Sequence, residues 1–241
     1  MRDVSVVIPI LNEGDNIKKL TRLLIKNLKK LKKSINYEIL FIDDNSSDQT
    51  HDILKSIKHK KIKYFIRRKN RDLSKACMYG FDRAKYDTIL VMDGDIQHNP
   101  RYIPKILELF WFQKLDFLIC CRNFLKIIKN SNSYFIKLRT FLSVIITFIF
   151  NFLVIKKTMD PMSGFFIFNK KIYKKNKKKL FGKGYKILAD LLTVERKNYN
   201  IYNFQIKFDS RKKNKSKLNF RILFLIMVLI LKRSTSFIKN S

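Results

Sequence analysis

"TILVMDGDIQH", residues 88–98, is the stretch on which the reading of this chain turns. Thr88, Ile89, Leu90, Val91 and Met92 form a short apolar, β-branched run, the pattern of a buried strand. Asp93, Gly94 and Asp95 follow at once, so two carboxylates stand where strand gives way to loop. One such pair could be turn chemistry, because Asp and Asn hydrogen-bond their own backbone at turns. Further out, the same event recurs. "VSVVIPIL" (4–11) ends in Asn12 and Glu13, and "YEILFIDD" (37–44) ends in Asp43 and Asp44. If these strands are neighbours, all three acidic ends converge on one crevice.

Helical spacing fills the gaps between strands. Ile17, Leu20, Leu23, Leu24, Leu28 and Leu31 recur with a helical period. In "NSSDQT" (45–50), Ser47 or Asp48 is expected to cap a helix through Lys58. Residues 73–85 form another helix, and Pro100 and Pro104 bracket the start of one running to about Gln113. "KIKYFIRR" (61–68) and "LDFLICC" (115–121) supply the remaining strands of this half. Such alternation predicts an α/β fold, a mostly parallel sheet with helices on both faces. Ligands then bind outside the carboxyl ends of the strands. No G-x-G-x-x-G or G-x-x-x-x-G-K-[ST] follows a strand, which removes support from dinucleotide and P-loop readings.

After residue 125 the pattern changes. An amphipathic-to-apolar segment (133–155) leads to "DPMSGFFIFN" (160–169), a Lys-rich patch (170–179), "GYKILADLL" (184–192), a strand-like "IYNFQIKF" (201–208) and the loop "DSRKKNKSKL" (209–218). No internal repeat and no Pro-, Gly- or Ser-rich linker appears, so this half reads as an elaboration of one domain. "FLSVIITFIFNFLVI" (141–155) carries Asn151 inside it, and "ILFLIMVLIL" (222–231) is flanked by Arg221, Lys232 and Arg233. A spanning helix needs about 20 apolar residues, so both are expected to lie in a membrane interface or against the core.

The 241 residues hold 52 Lys and Arg against 19 Asp and Glu, a formal net charge of +33. That balance points to nucleic acid, an anionic membrane or phosphorylated ligands. Only 13 of the cations are Arg and 39 are Lys, whereas specific phosphate and base recognition favours the Arg fork. Acid at three strand ends also speaks against a nucleic-acid groove. Abundant Lys, Ile, Asn and Phe with 6 Gly is, in part, the composition of an AT-rich coding sequence. Cys77, Cys120 and Cys121 show no metal-ligand spacing and read as small buried hydrophobes. A reducing cytoplasmic setting without a signal peptide is expected.

Paired carboxylates beside so many cations suit a divalent ion. Asp95 and Gln97 offer hard oxygen ligands two residues apart, as Mg²⁺ or Mn²⁺ prefers when phosphates and water complete its shell. Such an ion bridges a diphosphate and neutralises a leaving group. Asp44 is expected to accept hydrogen bonds from a nucleobase or ribose, and His98 is expected to be structural.

The ordered set "VVIPILNE", "FIDDNSSDQT", "VMDGDIQHNP", "DPMSGFF", "GYKIL" and "SRKKNKSKL" resembles the family 2 glycosyltransferases. Within them it is most similar to dolichol-phosphate mannose synthases and bacterial polyprenyl-phosphate glycosyltransferases. The likeness runs from about residue 3 to 220. It implies a GT-A (Rossmann-like) fold over residues 1–217, with a nucleotide-sugar half (1–125), an acceptor half (126–217) and a C-terminal amphipathic tail (218–241). It implies inverting transfer of a hexose, mannose or glucose, from a GDP- or UDP-sugar to a polyprenyl or dolichyl phosphate. A soluble or glycan acceptor is one alternative, and a basic nucleic-acid-binding protein, suggested by the net charge, is the alternative of another class. A membrane surface on the cytoplasmic side, Mg²⁺ or Mn²⁺, and a separate small membrane protein are the partners it suggests, with no nucleic acid.

Carried over by motif, the resemblance puts Pro9, Leu11, Glu13, Ile42 and Asp44 around the nucleotide. It puts Asp93, Gly94, Asp95 and Gln97 at the metal and diphosphate, with Arg122 near the sugar phosphate. Arg139 and Ser216 would face the acceptor phosphate, and Arg211 and Lys217 would close over the diphosphate. Four positions depart from the usual pattern. Leu11 stands for a common Tyr, Gly94 for a frequent Ala, Asn214 for a Gly and Phe166 for an Arg.

Overall fold

In the computed structural model, the three acid-ended strands lie side by side. The structure describes residues 2–32, 35–68, 70–124, 134–154, 158–184, 187–195 and 198–207, and Val228 beyond them. Arg211, Ser216, Lys217 and the expected tail at 218–241 fall outside that range, apart from Val228. Strands β1 (Val4–Ile10), β2 (Tyr37–Asp43), β3 (Ile62–Ile66), β4 (Thr88–Val91), β5 (Phe117–Arg122), β6 (Phe166–Asn169) and β7 (Ile201–Ile206) form one sheet. Its order is β3-β2-β1-β4-β6-β5-β7. β3, β2, β1 and β4 run parallel, with Ile10 opposite Asp43 and Val7 opposite Val91. β6 is antiparallel to both β4 and β5, and β7 pairs parallel with β5. Every strand except β6 therefore ends at one edge, and β6 begins there.

Alternation along the strands sorts the core into two layers. Val4, Val6, Ile8, Ile39, Phe41 and Leu118 face helices α1 (Gly14–Leu28) and α4 (Ile103–Phe112) through Ile17, Leu20, Leu24, Ile103, Ile106 and Leu107. Val7, Leu40, Ile42, Ile89 and Phe117 face α3 (Leu73–Arg83) and α7 (Ile187–Thr193) through Cys77, Phe81, Leu188 and Leu191. Cys120 and Cys121 divide between the layers, both fully buried, as small hydrophobes should. Burial on both faces accounts for the unbroken apolar reading of β1, β2 and β4.

Differences from the sequence expectations are local. α2 (Thr50–Ser56) stops short of Lys58, and Gln49 occupies its N-cap position without a side-chain bond. Asp48 instead accepts the Thr50 N–H at 3.0 Å from one residue further out. "FFIFN", not read as a strand, supplies β6 in mid-sheet. α6 (Lys170–Asn176) follows directly, capped by Asn169 on the Lys171 N–H. α5 (Tyr134–Val154) is the longest helix described, and Phe150 roots it in the second layer. Its outward residues include Phe141 (56% exposed), Phe148 (71%) and Phe152 (74%). No helix among the described residues is long and apolar enough to cross a membrane.

Candidate active site

The carboxyl edge is stitched into a single rigid rim before any ligand is considered. Asn12, at φ 57° beyond β1, donates its N–H to Ser46 Oγ (2.8 Å), and its Oδ1 accepts the Ser47 N–H (2.8 Å). Glu13 N–H reaches Thr50 Oγ1 at 3.0 Å and Gly14 N–H reaches Asp48 Oδ2 at 3.2 Å. Four cross-bonds thus tie the β1–α1 loop to the β2–α2 loop. Burial pushes the Asp48 carboxyl up, but bonds from Thr50 and Gly14 outweigh it and hold the group below its ordinary range.

The acids at the end of β2 are largely committed. Asp43 accepts both the N–H (3.0 Å) and the hydroxyl (2.6 Å) of Ser46. Asp44 is buried, paired with buried Arg67 at 2.5 Å and accepting the Asp72 N–H at 2.6 Å. Burial raises the Asp44 carboxyl above its usual value, and the Asp72 N–H and Arg67 pull only part of that back. Arg67 also donates to Asn70 O, while Arg71 grips Asn45 O through two nitrogens at 3.2 and 2.7 Å. The structure thus places Asp44 at the crevice wall as the hub of a buried ion pair. Ile42 lies just before it with its side chain in the second layer beside Gly80. Pro9 is buried, and Leu11 and Glu13 are half-buried at the rim.

The "DGD" segment is different, because Asp93, Asp95 and Gln97 all remain half-buried. Asp95 Oδ1 accepts the Gln97 N–H at 3.1 Å, and Ile96 between them sits at φ 63°. A β-branched residue in that left-handed region is strained, and such strain gathers at functional sites. His98 is buried, stacks on Phe165 at 5.2 Å, and accepts the Asp93 N–H through Nδ1 at 3.0 Å. Its Nε2 lies 3.7 Å from Asp93 Oδ2. The imidazole is structural, as the sequence suggests, and the thing it positions is Asp93. The room for Gly94 is taken by Ile10, whose Cγ2 lies 2.6 Å from where a Cβ would stand.

A third wall comes from the turn before β6. Arg122, ending β5, makes a two-pronged bond to buried Asp160 through Nε (2.8 Å) and Nη2 (3.1 Å). Burial lowers the Arg122 guanidinium, but Asp160 outweighs it, with Cys121 and Asp93 adding, so the net shift is upward. Ser163 Oγ donates to Cys120 O at 2.7 Å, and Gly164 then passes so close to Asp93 that a Cβ there would meet Oδ2 at 2.6 Å. Asp160, Gly164, Arg67 and Asp72 belong to the site although the sequence did not single them out individually. Asp160 and Gly164 sit inside "DPMSGFF", which was the available signal. Nothing in "KIKYFIRR" marked Arg67. The Arg139 side chain lies outside the described part of α5.

No cluster of three or more His, Cys, Asp or Glu side chains forms a metal cage among the described residues. Two half-buried carboxylates and a neighbouring half-buried amide fit an ion that takes most of its oxygens from a diphosphate and water.

A mostly parallel sheet with half-buried acids and a held arginine at its carboxyl edge defines the class of α/β proteins that bind ligands at that edge. The glycosyl transferase family 2 profile matches residues 5–176, and the chain belongs to that family. It is 31% identical over 222 residues to a dolichol-phosphate mannosyltransferase of Pyrococcus furiosus, covering 92% of this chain and 60% of that protein. A Saccharomyces cerevisiae protein of the same name is 31% identical over 195 residues, covering 79% of this chain and 70% of its own. This chain therefore spans well under the whole of the archaeal relative. Among solved structures, Mycobacterium tuberculosis glucosyl-3-phosphoglycerate synthase, in complex with Mn²⁺, UDP and phosphoglyceric acid, aligns with a TM-score of 0.71. At 14% identity, with 97% of this chain and 78% of that one covered, the likeness concerns the fold.

Proposed function

We propose that this chain transfers a hexose, mannose or glucose, from a GDP- or UDP-sugar to a polyprenyl or dolichyl phosphate, with inversion at the anomeric carbon. One observation carries the reading: the ends of β1, β2, β4 and β5 and the start of β6 bring Asp93, Asp95 and the Arg122–Asp160 pair to one edge. The names of the two mannosyltransferase relatives support the choice of acceptor.

In this reading residues 1–125 hold the donor and 126–217 face the acceptor, with 218–241 a membrane-associated tail. Pro9, Leu11, Glu13, Ile42 and Asp44 form the nucleotide wall, with Ile42 and Asp44 shaping it from behind. Asp93, Asp95 and Gln97 would hold Mg²⁺ or Mn²⁺ against the diphosphate. When bound, that ion supplies positive charge to the departing nucleoside diphosphate. His98 fixes the backbone of Asp93, and Gly164 lets the turn before β6 pack against its carboxylate. Arg122 presents a guanidinium whose direction Asp160 sets. The acceptor is a phosphate monoester, mostly doubly ionised at neutral pH because its second pKa is about 6. It needs no strong general base. A single in-line attack inverts the anomeric centre. Arg211 and Lys217 would close on the diphosphate, and Arg139 and Ser216 would meet the acceptor phosphate. The exposed Phe141, Phe148 and Phe152 of α5 favour a peripheral position on a membrane surface; this reading puts that surface on the cytoplasmic face, with a small membrane protein as a further partner.

Purified full-length protein is to be incubated with GDP-mannose or UDP-glucose and polyprenyl phosphate in detergent, and the lipid product weighed by mass spectrometry. Turnover with Mg²⁺ or Mn²⁺ that vanishes in EDTA and in Asp95→Ala is the expected result. Full activity in EDTA would overturn the roles of Asp93, Asp95 and Gln97. Turnover only with phosphoglycerate or a glycan would overturn the acceptor, and salt-dependent DNA binding without any transfer would overturn the enzyme.

A further inference from the structure

Asn151 is out of place in its own helix. It lies in "TFIFNFLV" near the end of α5, among residues that are otherwise apolar or Thr. An amide in a helix interior competes with the backbone and is disfavoured there unless it has other work. Here its side chain leaves the helix and bonds both the backbone N–H and the backbone C=O of one residue, Thr158. Nδ2 donates to Thr158 O at 2.7 Å, and Oδ1 accepts the Thr158 N–H at 3.2 Å. This is the double bond one strand offers its neighbour, supplied by a side chain.

The bracketed residue opens the turn that forms the third wall of the site. Buried Thr158 accepts the Asp160 N–H on its hydroxyl at 3.3 Å, and Asp160 holds Arg122 in the two-pronged pair. Ser163 N–H returns to Asp160 O, and Gly164 lies against the Asp93 carboxylate. From β7, Asn203 Oδ1 accepts the Met159 N–H at 3.0 Å and the Thr158 hydroxyl at 3.3 Å. Two asparagines, one on α5 and one on β7, thus clamp the start of a turn whose next residues touch Arg122 and Asp93. Of the two elements, α5 is the one carrying a row of exposed aromatic side chains.

We infer that Asn151 is a positioning residue for the transfer reaction: it fixes the Thr158–Gly164 turn to α5, and through Asp160 and Gly164 it sets where Arg122 and Asp93 stand. The inference rests on the function proposed above. It adds that the helix with the exposed apolar face is mechanically joined to the donor-phosphate wall, so whatever seats α5 also seats the catalytic edge.

Asn151→Leu suits the apolar helix and removes the clamp, and Thr158→Val loosens the same turn from the other side while keeping its peptide. Hydrogen–deuterium exchange of full-length protein is the readout that does not need turnover. Faster exchange is expected in peptides spanning 158–165 and 117–124, with those covering α1 and α3 unchanged. Nucleotide-sugar KM should stay within about twofold while kcat falls about tenfold, in both variants. Adding Arg122→Lys to Asn151→Leu should cost little beyond the worse single change, because both act on one interaction. Unchanged exchange at 117–124, or kcat losses that multiply independently, would overturn the inference. If Asn151→Leu does not fold, the same comparisons on Asn151→Asp, which keeps the acceptor for the Thr158 N–H and loses the donor to Thr158 O, decide it. A wild type without transferase activity refutes the proposed reaction and still leaves the exchange pattern to judge the clamp.

Discussion

Adding one methyl group at Gly164 should disable the site while sparing the fold. A Cβ there would lie 2.6 Å from Asp93 Oδ2, 2.8 Å from Oδ1 and 2.9 Å from Cγ. Reaching an ordinary separation of about 3.4 Å needs about 0.8 Å of movement. The turn resists, because Ser163 is bonded to Cys120 O and Asp160 to Arg122. Asp93 is short, and its backbone is held by His98. The strain therefore falls mainly on the carboxylate. Misplacement by about 1 Å can cost about a hundredfold in rate, so a loss of about 10- to 100-fold in kcat/KM is expected, or about 1.4–2.7 kcal/mol. Overpacking should lower stability by about 1–3 kcal/mol. The measurement is sugar transfer to polyprenyl phosphate across a Mn²⁺ titration, beside a thermal melt. Gly164→Ala with wild-type kcat/KM and an unshifted metal titration would contradict this account. A collapsed melting curve would instead place the cost in the fold.

Arg67→Ala should destabilise the protein by about 3–5 kcal/mol at neutral pH, because it leaves Asp44 buried without its cation. The Asp44 carboxyl, already raised by burial, then rises further; a raised group gives its stability below its unfolded value and loses it as pH rises through the folded one. The gap to wild type in urea titrations should therefore narrow in acid, and a gap that widens there refutes the account. Asp48→Ala carries the opposite sign: a lowered carboxyl stabilises above its unfolded value of about 3.9 and stops doing so as pH falls through the folded one. Its melting temperature should trail wild type at pH 7 and converge on it below about pH 4. Replacing Phe148 and Phe152 with Ser should reduce pelleting on anionic liposomes without changing the melting curve; equal pelleting would remove α5 from the membrane argument.

What the sequence made legible follows from where periodicity survives. β1, β2 and β4 are covered on both faces, so they read as unbroken apolar runs, and the acid after each could be seen at a glance. β6 was hidden because four residues after a loop carry too little pattern, and its antiparallel insertion depends on partners far along the chain. The helices of the first half were legible from Ile17, Leu20 and Leu24, whereas the cap of α2 was not. Asp48 is spent on Gly14 as well as Thr50, a choice that depends on the neighbouring loop. His98 was read as structural, and it is; that it steadies Asp93 required knowing which ring nitrogen faces which backbone.

The acids at the edge show most clearly what a sequence omits. Asp43, Asp44, Asp93, Asp95 and Asp160 look alike in one-letter code, yet burial divides them into two kinds. Asp43, Asp44 and Asp160 are buried and answered by Ser46, Arg67 and Arg122, so their charge is spent on holding loops together. Asp93 and Asp95 remain half-buried beside the strained backbone of Ile96. A charged group kept partly in water costs less to desolvate and remains able to meet a cation brought by a ligand. Asp44 owes its ion pair to Arg67, which is brought beside it because β3 pairs in parallel with β2, with Asp43 opposite Ile66. The division of labour among these carboxylates is thus set by sheet register, which no run of residues displays by itself.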